Sequence, residues 1–154
     1  MRHRNRNYAK ADGFTLIELM IVIAIIGILI GVGVVGWKAA TKAGNEAAAV
    51  RTLQTIRDSQ ATYYLGHRGT YGTFDELIKD GSLDSKFAGE APLVSGYIYT
   101  MKVRQRSATE PAFYFVNADP QGGTGNHFYI DPNVSTIRMN ETQPAVATDP
   151  SISN

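Results

Sequence analysis

Glu18 is the residue of this sequence whose chemistry most needs explaining. It is the only charged side chain between Asp12 and Lys38, and the run from Leu19 to Trp37 that follows it is uncharged. A carboxylate costs about 2.5–3.5 kcal/mol at the centre of a membrane helix and less near its end. Such an acid either sits at headgroup level or finds a cation. The spacing offers a cation. Phe14 precedes Glu18 by four residues, about one helical turn or roughly 6 Å of rise. Cleavage after Gly13 would leave a free α-amine on Phe14, on the helical face that carries Glu18. That carboxylate could pair with its own amine or with a neighbouring subunit's. Only the second pairing sets a register between subunits.

The other candidates for chemistry are sparse. His67 lies in a glycine-flanked loop, His127 opens an apolar run, and His3 is near the N-terminus. None has a second ligand at a metal spacing such as i and i+4, so no metal site is expected. Asp119, Asp131 and the loop 121–126 supply oxygen atoms, but their spacing matches no dedicated calcium loop. Gly122-Gly123-Thr124-Gly125 lacks the lysine of a phosphate-binding loop and reads as a turn. The absence of cysteine removes thiol catalysis, thiolate metal sites and disulfides. A Ser-His-Asp set is not visible, though such sets form in space rather than in sequence. No catalytic residue and no cofactor is expected. A net charge of +1 with scattered Lys and Arg gives no basic stripe and no specific nucleic-acid site.

What must position Glu18 is the segment around it. Arg2, Arg4, Arg6 and Lys10 stand against Asp12 in the first twelve residues. A basic segment before an apolar one invites comparison with a secretory signal peptide, whose apolar core is about 7–15 residues. Here the apolar run is 19 residues long, close to the roughly 20 that cross a bilayer. A transmembrane helix therefore fits better, although Ala40-Thr41-Lys42-Ala43 is a weak candidate cleavage site. The basic N-terminus favours a cytoplasmic start. Lys38, Lys42, Arg51 and Arg57 on the far side leave that preference a thin margin.

The stretch from Gly13 through Phe14-Thr15-Leu16-Ile17-Glu18 to Leu29 resembles the leader-cleavage and methylation motif of type IV prepilins. The pseudopilins of type II secretion share that motif. The resemblance implies a leader at residues 1–13 removed by a prepilin peptidase, and N-methylation of Phe14. It also implies that Phe14 and Glu18 act in subunit assembly. Further implied partners are other copies of the chain, an inner-membrane assembly platform and a cytoplasmic ATPase. Many members carry proline where Val35 stands. Here Gly31, Gly33 and Gly36 supply glycines, which cost a helix about 1 kcal/mol each relative to alanine. With Gly27 they either let the helix unwind locally in a filament or pack closely between neighbouring helices. Four basic residues against one acid give the leader +3, which taken from +1 leaves −2 on the mature chain.

Beyond the transmembrane and polymerisation segment 14–37, an amphipathic continuation is expected over 38–65. Ala43, Ala47, Val50, Leu53, Ile56, Ala61 and Tyr64 recur at helical steps. Gly66 is the expected stop. A head domain then follows over 66–140. Thr73 with Glu76 forms a capping-box pattern ahead of a short helix from Phe74 to Lys79. Strands are expected at 97–103, 113–116, 128–130 and 134–139. The tail 141–154, with Pro144 and Pro150, reads as surface or partly disordered chain. The expected fold class is α+β and pilin-like, a long N-terminal helix packed on an antiparallel sheet of about four strands.

The function implied is structural. The subunit waits in the bacterial inner membrane in contact with lipid, as a single pass with its N-terminus cytoplasmic. It is then assembled into a type IV pilus-like filament at the cell surface or in the periplasm. The first alternative is a pseudopilin, whose short filament drives secretion. The second is a membrane-anchored binding domain that never polymerises.

Overall fold

The computed structural model describes residues 13–152. The basic residues of the expected leader, its Asp12 and His3 all lie outside that range, as do residues 153–154. The chain divides into two compact units, one ending at Ala40 and the other starting at Thr41. Each is described on its own.

In the first unit, helix α1 begins at Leu16; it runs to Gly66. Its N-terminal part is uniformly apolar, and among its side chains Leu16, Ile17, Leu19, Ile23, Ile28, Leu29 and Trp37 are all exposed. A helix that is apolar on every side needs an apolar solvent or apolar neighbours. The glycine segment 31–36 is helical in the single subunit, so any unwinding there belongs to the filament alone. The weak signal-peptidase site at 40–43 also lies within α1.

The second unit is the head. A five-stranded antiparallel sheet forms in the order β1-β2-β3-β4-β5, a meander in which each strand pairs with its neighbour in sequence. The strands are β1 Leu93–Val94, β2 Tyr97–Arg104, β3 Phe113–Pro120, β4 His127–Ile130 and β5 Arg138–Asn140. One more strand is present than expected, and the last is shorter. Strand β5 cannot begin at Val134, because Asp131 accepts the amides of Asn133 (2.7 Å) and Val134 (2.9 Å) and folds that stretch into a turn. β3 continues past Val116, keeping its alternation: Tyr114, Val116 and Ala118 are buried.

Residues 41–66 of α1 cover one face of this sheet. Ala49, Leu53 and Ile56 join Tyr97, Tyr99, Tyr114, Val116, Phe128 and Ile130 in one core. The buried line therefore runs Ala49, Leu53, Ile56, Gln60. The expected stripe was one position out at both ends, since Ala43, Ala47, Ala61 and Tyr64 are exposed. Helix α2, Phe74–Lys79, carries the expected capping box. Thr73 Oγ1 accepts the Glu76 amide, and the Glu76 carboxylate accepts the Thr73 amide at 2.8 Å. It ends at the cap Asp80, with Gly81 at a φ of +79°. A 3₁₀ turn, Ser85–Phe87, follows and buries Phe87 beside Tyr99.

The tail lies on the surface, as one of the two expected readings had it, and is tied to the head up to residue 152. Asn117 donates to the Ala145 carbonyl at 2.7 Å, Met139 N–H to Pro150, and Ile152 N–H to Ile137. Hydrogen-bonding groups left open along β5 explain this, because a chain that returns alongside satisfies them.

The head buries four phenols, those of Tyr97, Tyr99, Tyr114 and Tyr129. Burial raises the pKa of Tyr97, Tyr114 and Tyr129 well above the ordinary value of 10.0, and the bond that Tyr129 donates to Asp131 raises its own further. A pKa raised on folding means that the folded state holds its protons more tightly. The stability is therefore intact below pH 10 and falls as pH rises beyond it. Each phenol contributes a loss of up to about 1.4 kcal/mol per pH unit in that window. Thermal melting of the detergent-solubilised chain should be flat from pH 7 to 9 and should drop steeply above pH 10. A flat profile through pH 11 would refute the buried phenols as the cause.

Candidate functional site

The segment that carries the expected chemistry starts in non-helical chain. Gly13, Phe14 and Thr15 precede the helix, and Phe14 is 84% exposed. Among the described residues, no heavy atom lies within 4 Å of where a side chain on Gly13 would sit. The Gly13–Phe14 peptide bond thus lies in non-helical chain with open space beside Gly13.

Helix entry is fixed by Thr15 and Glu18. The Glu18 amide donates to Thr15 Oγ1 at 3.3 Å. In return, Glu18 Oε2 accepts from the Thr15 amide at 3.4 Å and from its hydroxyl at 3.3 Å. The Leu19 amide reaches the Thr15 carbonyl at 3.2 Å. This is a capping box, Thr-x-x-Glu, and it holds the carboxylate back toward the N-terminus. The sequence reading passed over Thr15 in that role. The same three-residue spacing that marks Thr73 and Glu76 is present in Thr15 and Glu18. The Thr15 amide that this carboxylate accepts is one residue on from the Phe14 nitrogen. Hydrolysis at Gly13 would convert that nitrogen from a neutral amide to an ammonium group beside a fixed anion.

The head holds no comparable arrangement, and its polar side chains are engaged in structure. His127 Nδ1 lies 2.5 Å from Asp119 Oδ1. Asp131, 3% exposed, accepts from the Tyr129 hydroxyl as well as from its two turn amides. His67 stacks on Tyr63 at 3.8 Å and approaches Asp80. The glycine-rich turn is tied to the helix by Glu46, whose carboxylate accepts both the backbone and side-chain N–H of Asn126. Among the described residues, no three His, Asp or Glu side chains gather as metal ligands would.

Comparison with known proteins bears on the first of these two regions most directly. Residues 8–34 match the family model described as the prokaryotic N-terminal methylation motif. The chain is 33% identical over 89 residues to the type IV major pilin protein PilE of Neisseria gonorrhoeae, covering 56% of this chain and 53% of that protein. Over 89 residues, then, the chain is similar to a type IV pilin. A second relative from the same organism, type IV major pilin protein PilE1, is 42% identical over 55 residues, 36% of this chain and 33% of that one. The pilin-like chain thus spans about half the length or less of the curated relatives it matches. No solved structure gave a significant match. The α+β layout agrees with this placement: an apolar N-terminal helix leads into an antiparallel sheet.

Proposed function

We propose that this pilin-like chain is the structural subunit of a type IV pilus-like filament. In this reading a prepilin peptidase hydrolyses the Gly13–Phe14 bond, and the new Phe14 amine is methylated. The subunit is held in the bacterial inner membrane as a single pass with its N-terminus cytoplasmic. It is then built, by an assembly platform and its cytoplasmic ATPase, into a polymer of its own kind. The observation that carries the reading is a coincidence within one short segment. A non-helical Gly13–Phe14 bond, a carboxylate held on the Thr15 amide next to Phe14, and a helix with exposed apolar residues all lie inside the methylation-motif match. Burying that helix against other copies supplies the driving force for polymerisation, at roughly 25 cal/mol per Å² of apolar surface. The Glu18 carboxylate, meeting a neighbour's Phe14 ammonium, sets the stagger.

A type II secretion pseudopilin shares every one of these features and is the second reading. The deciding experiment is the intact mass and N-terminal sequence of the protein from sheared surface material and from membranes. A chain that starts at methylated Phe14 in sheared fibres is the result expected for a pilus subunit. The same chain confined to membranes would move the assignment to the pseudopilin. A chain still beginning at Met1, in cells with an active prepilin peptidase, would refute both.

A further inference from the structure

The N-terminal unit carries one side chain that the filament reading leaves unused. Trp37 is the only tryptophan in the chain, and it stands 76% exposed at the end of the apolar run, followed at once by Lys38. Glu18 begins the same run. Nineteen residues of helix separate the two, which at 1.5 Å per residue is about 28 Å. A bilayer's hydrocarbon core is about 30 Å thick. Tryptophan concentrates at membrane interfaces, where the ring meets the acyl boundary and the indole N–H meets headgroups or water.

We infer that Trp37 is the outer anchor of a two-ended depth register with the lipid bilayer. With the indole at the outer interface, Glu18 lies at the inner headgroup layer and the Gly13–Phe14 bond a few ångström beyond it. The inference rests on the membrane-anchored reading above and deepens it. It accounts for how a lone carboxylate is tolerated next to a spanning helix: Glu18 does not enter the core. It also assigns Trp37 a part in processing. The non-helical residues 13–15 are presented outside the hydrocarbon, where a membrane peptidase and water can reach them. Lys38 supports the same register, because an ammonium on a flexible stem extends toward lipid phosphates.

The single tryptophan makes the depth directly measurable. The full-length precursor is reconstituted in phosphatidylcholine/phosphatidylglycerol vesicles doped with lipids brominated either near the glycerol or near the acyl terminus. Trp37 fluorescence should be quenched more strongly by the shallow bromines. In the W37F/I28W double variant the tryptophan sits mid-span, and the preference should reverse. Trp37 quenched best by the deep bromines would overturn the register while leaving the filament reading standing. Quenching by neither label, in either protein, would remove the bilayer anchorage on which both depend. A second measurement follows the scissile bond. Deleting residues 28–31, about one turn, draws the bond about 6 Å toward the core. Processing by a co-reconstituted prepilin peptidase should then slow relative to the intact precursor. Equal rates for the two would overturn the register. An intact precursor that is not cleaved at all would instead count against the filament reading.

Discussion

Glu18→Gln should leave the precursor cleavable after Gly13 and remove filaments from the cell surface. The substitution keeps the shape and the Thr15 cap interaction but abolishes the negative charge. Cleavage depends on an open peptide bond at 13–14, and residue 18 does not obstruct it. Assembly is a different matter. In the proposed filament the Phe14 ammonium would be surrounded by apolar helices, where a charge that has lost its partner costs about 3–5 kcal/mol. At 1.4 kcal/mol per factor of ten, that weakens each subunit addition by more than about a hundredfold. The check is a comparison of sheared and membrane fractions by intact mass. The processed variant should accumulate in membranes and be absent from the sheared fraction. Normal amounts of sheared filament from Glu18→Gln would refute the carboxylate's role in assembly.

The second large effect is expected in the head, at Gln60. This side chain is fully buried, and it pairs with the loop after α1 as one peptide group pairs with another. Its Nε2 donates to the Gly72 carbonyl at 2.6 Å, and its Oε1 accepts the Gly72 amide at 3.0 Å. The same Nε2 lies 3.3 Å from Met101 Sδ on β2. Gln60 therefore fastens the α1–α2 connection to both the helix and the sheet. Gln60→Leu preserves volume but orphans a buried donor and a buried acceptor, each worth about 1–3 kcal/mol. A loss of about 3 kcal/mol is expected, a large share of the 5–15 kcal/mol that holds a domain. Urea titration of the solubilised chain should show a lower midpoint with an unchanged slope. A midpoint within error of the parent would show that water or a loop shift satisfies Gly72. Gly72 itself has little freedom to adjust, since a side chain there would lie 3.2 Å from the Tyr63 ring and 3.3 Å from Leu77.

Features set by neighbours in sequence were readable in advance, and features set by distant packing were not. The Thr73–Glu76 cap, the α2 span and the central residues of β2, β3 and β4 follow from local rules of capping and alternation. Glu18 stands out because a charge beside an apolar run is conspicuous in any sequence, while the Thr15 cap that holds it was not read. Gln60 was not legible, since a glutamine in a helix carries no sign that a glycine twelve residues later will meet it. The helix stripe was misphased for a similar reason. Ala43, Ala47 and Ala61 are small enough to sit on either side of the apolar face, and only the sheet decides which side is covered. β1 has two residues, too few to show alternation. The turn at Asp131 displaced the start of β5, because an aspartate that captures two amides overrides the β-branched residues after it.

The sheet's two borders have a consequence for life at high density. Subunits in a membrane patch or a fibre place many copies of one head close together, and an open strand border is a template for a neighbour's strand. One border here ends in the two-residue β1, which pairs only with Tyr97 and Ile98 of β2. The other is already occupied, since Ser151 bridges Arg138 and the flanking amides of Met139 and Ile152 are spent within the chain. At that border the returning tail acts as a guard strand, leaving β5 no free backbone to offer a neighbouring head.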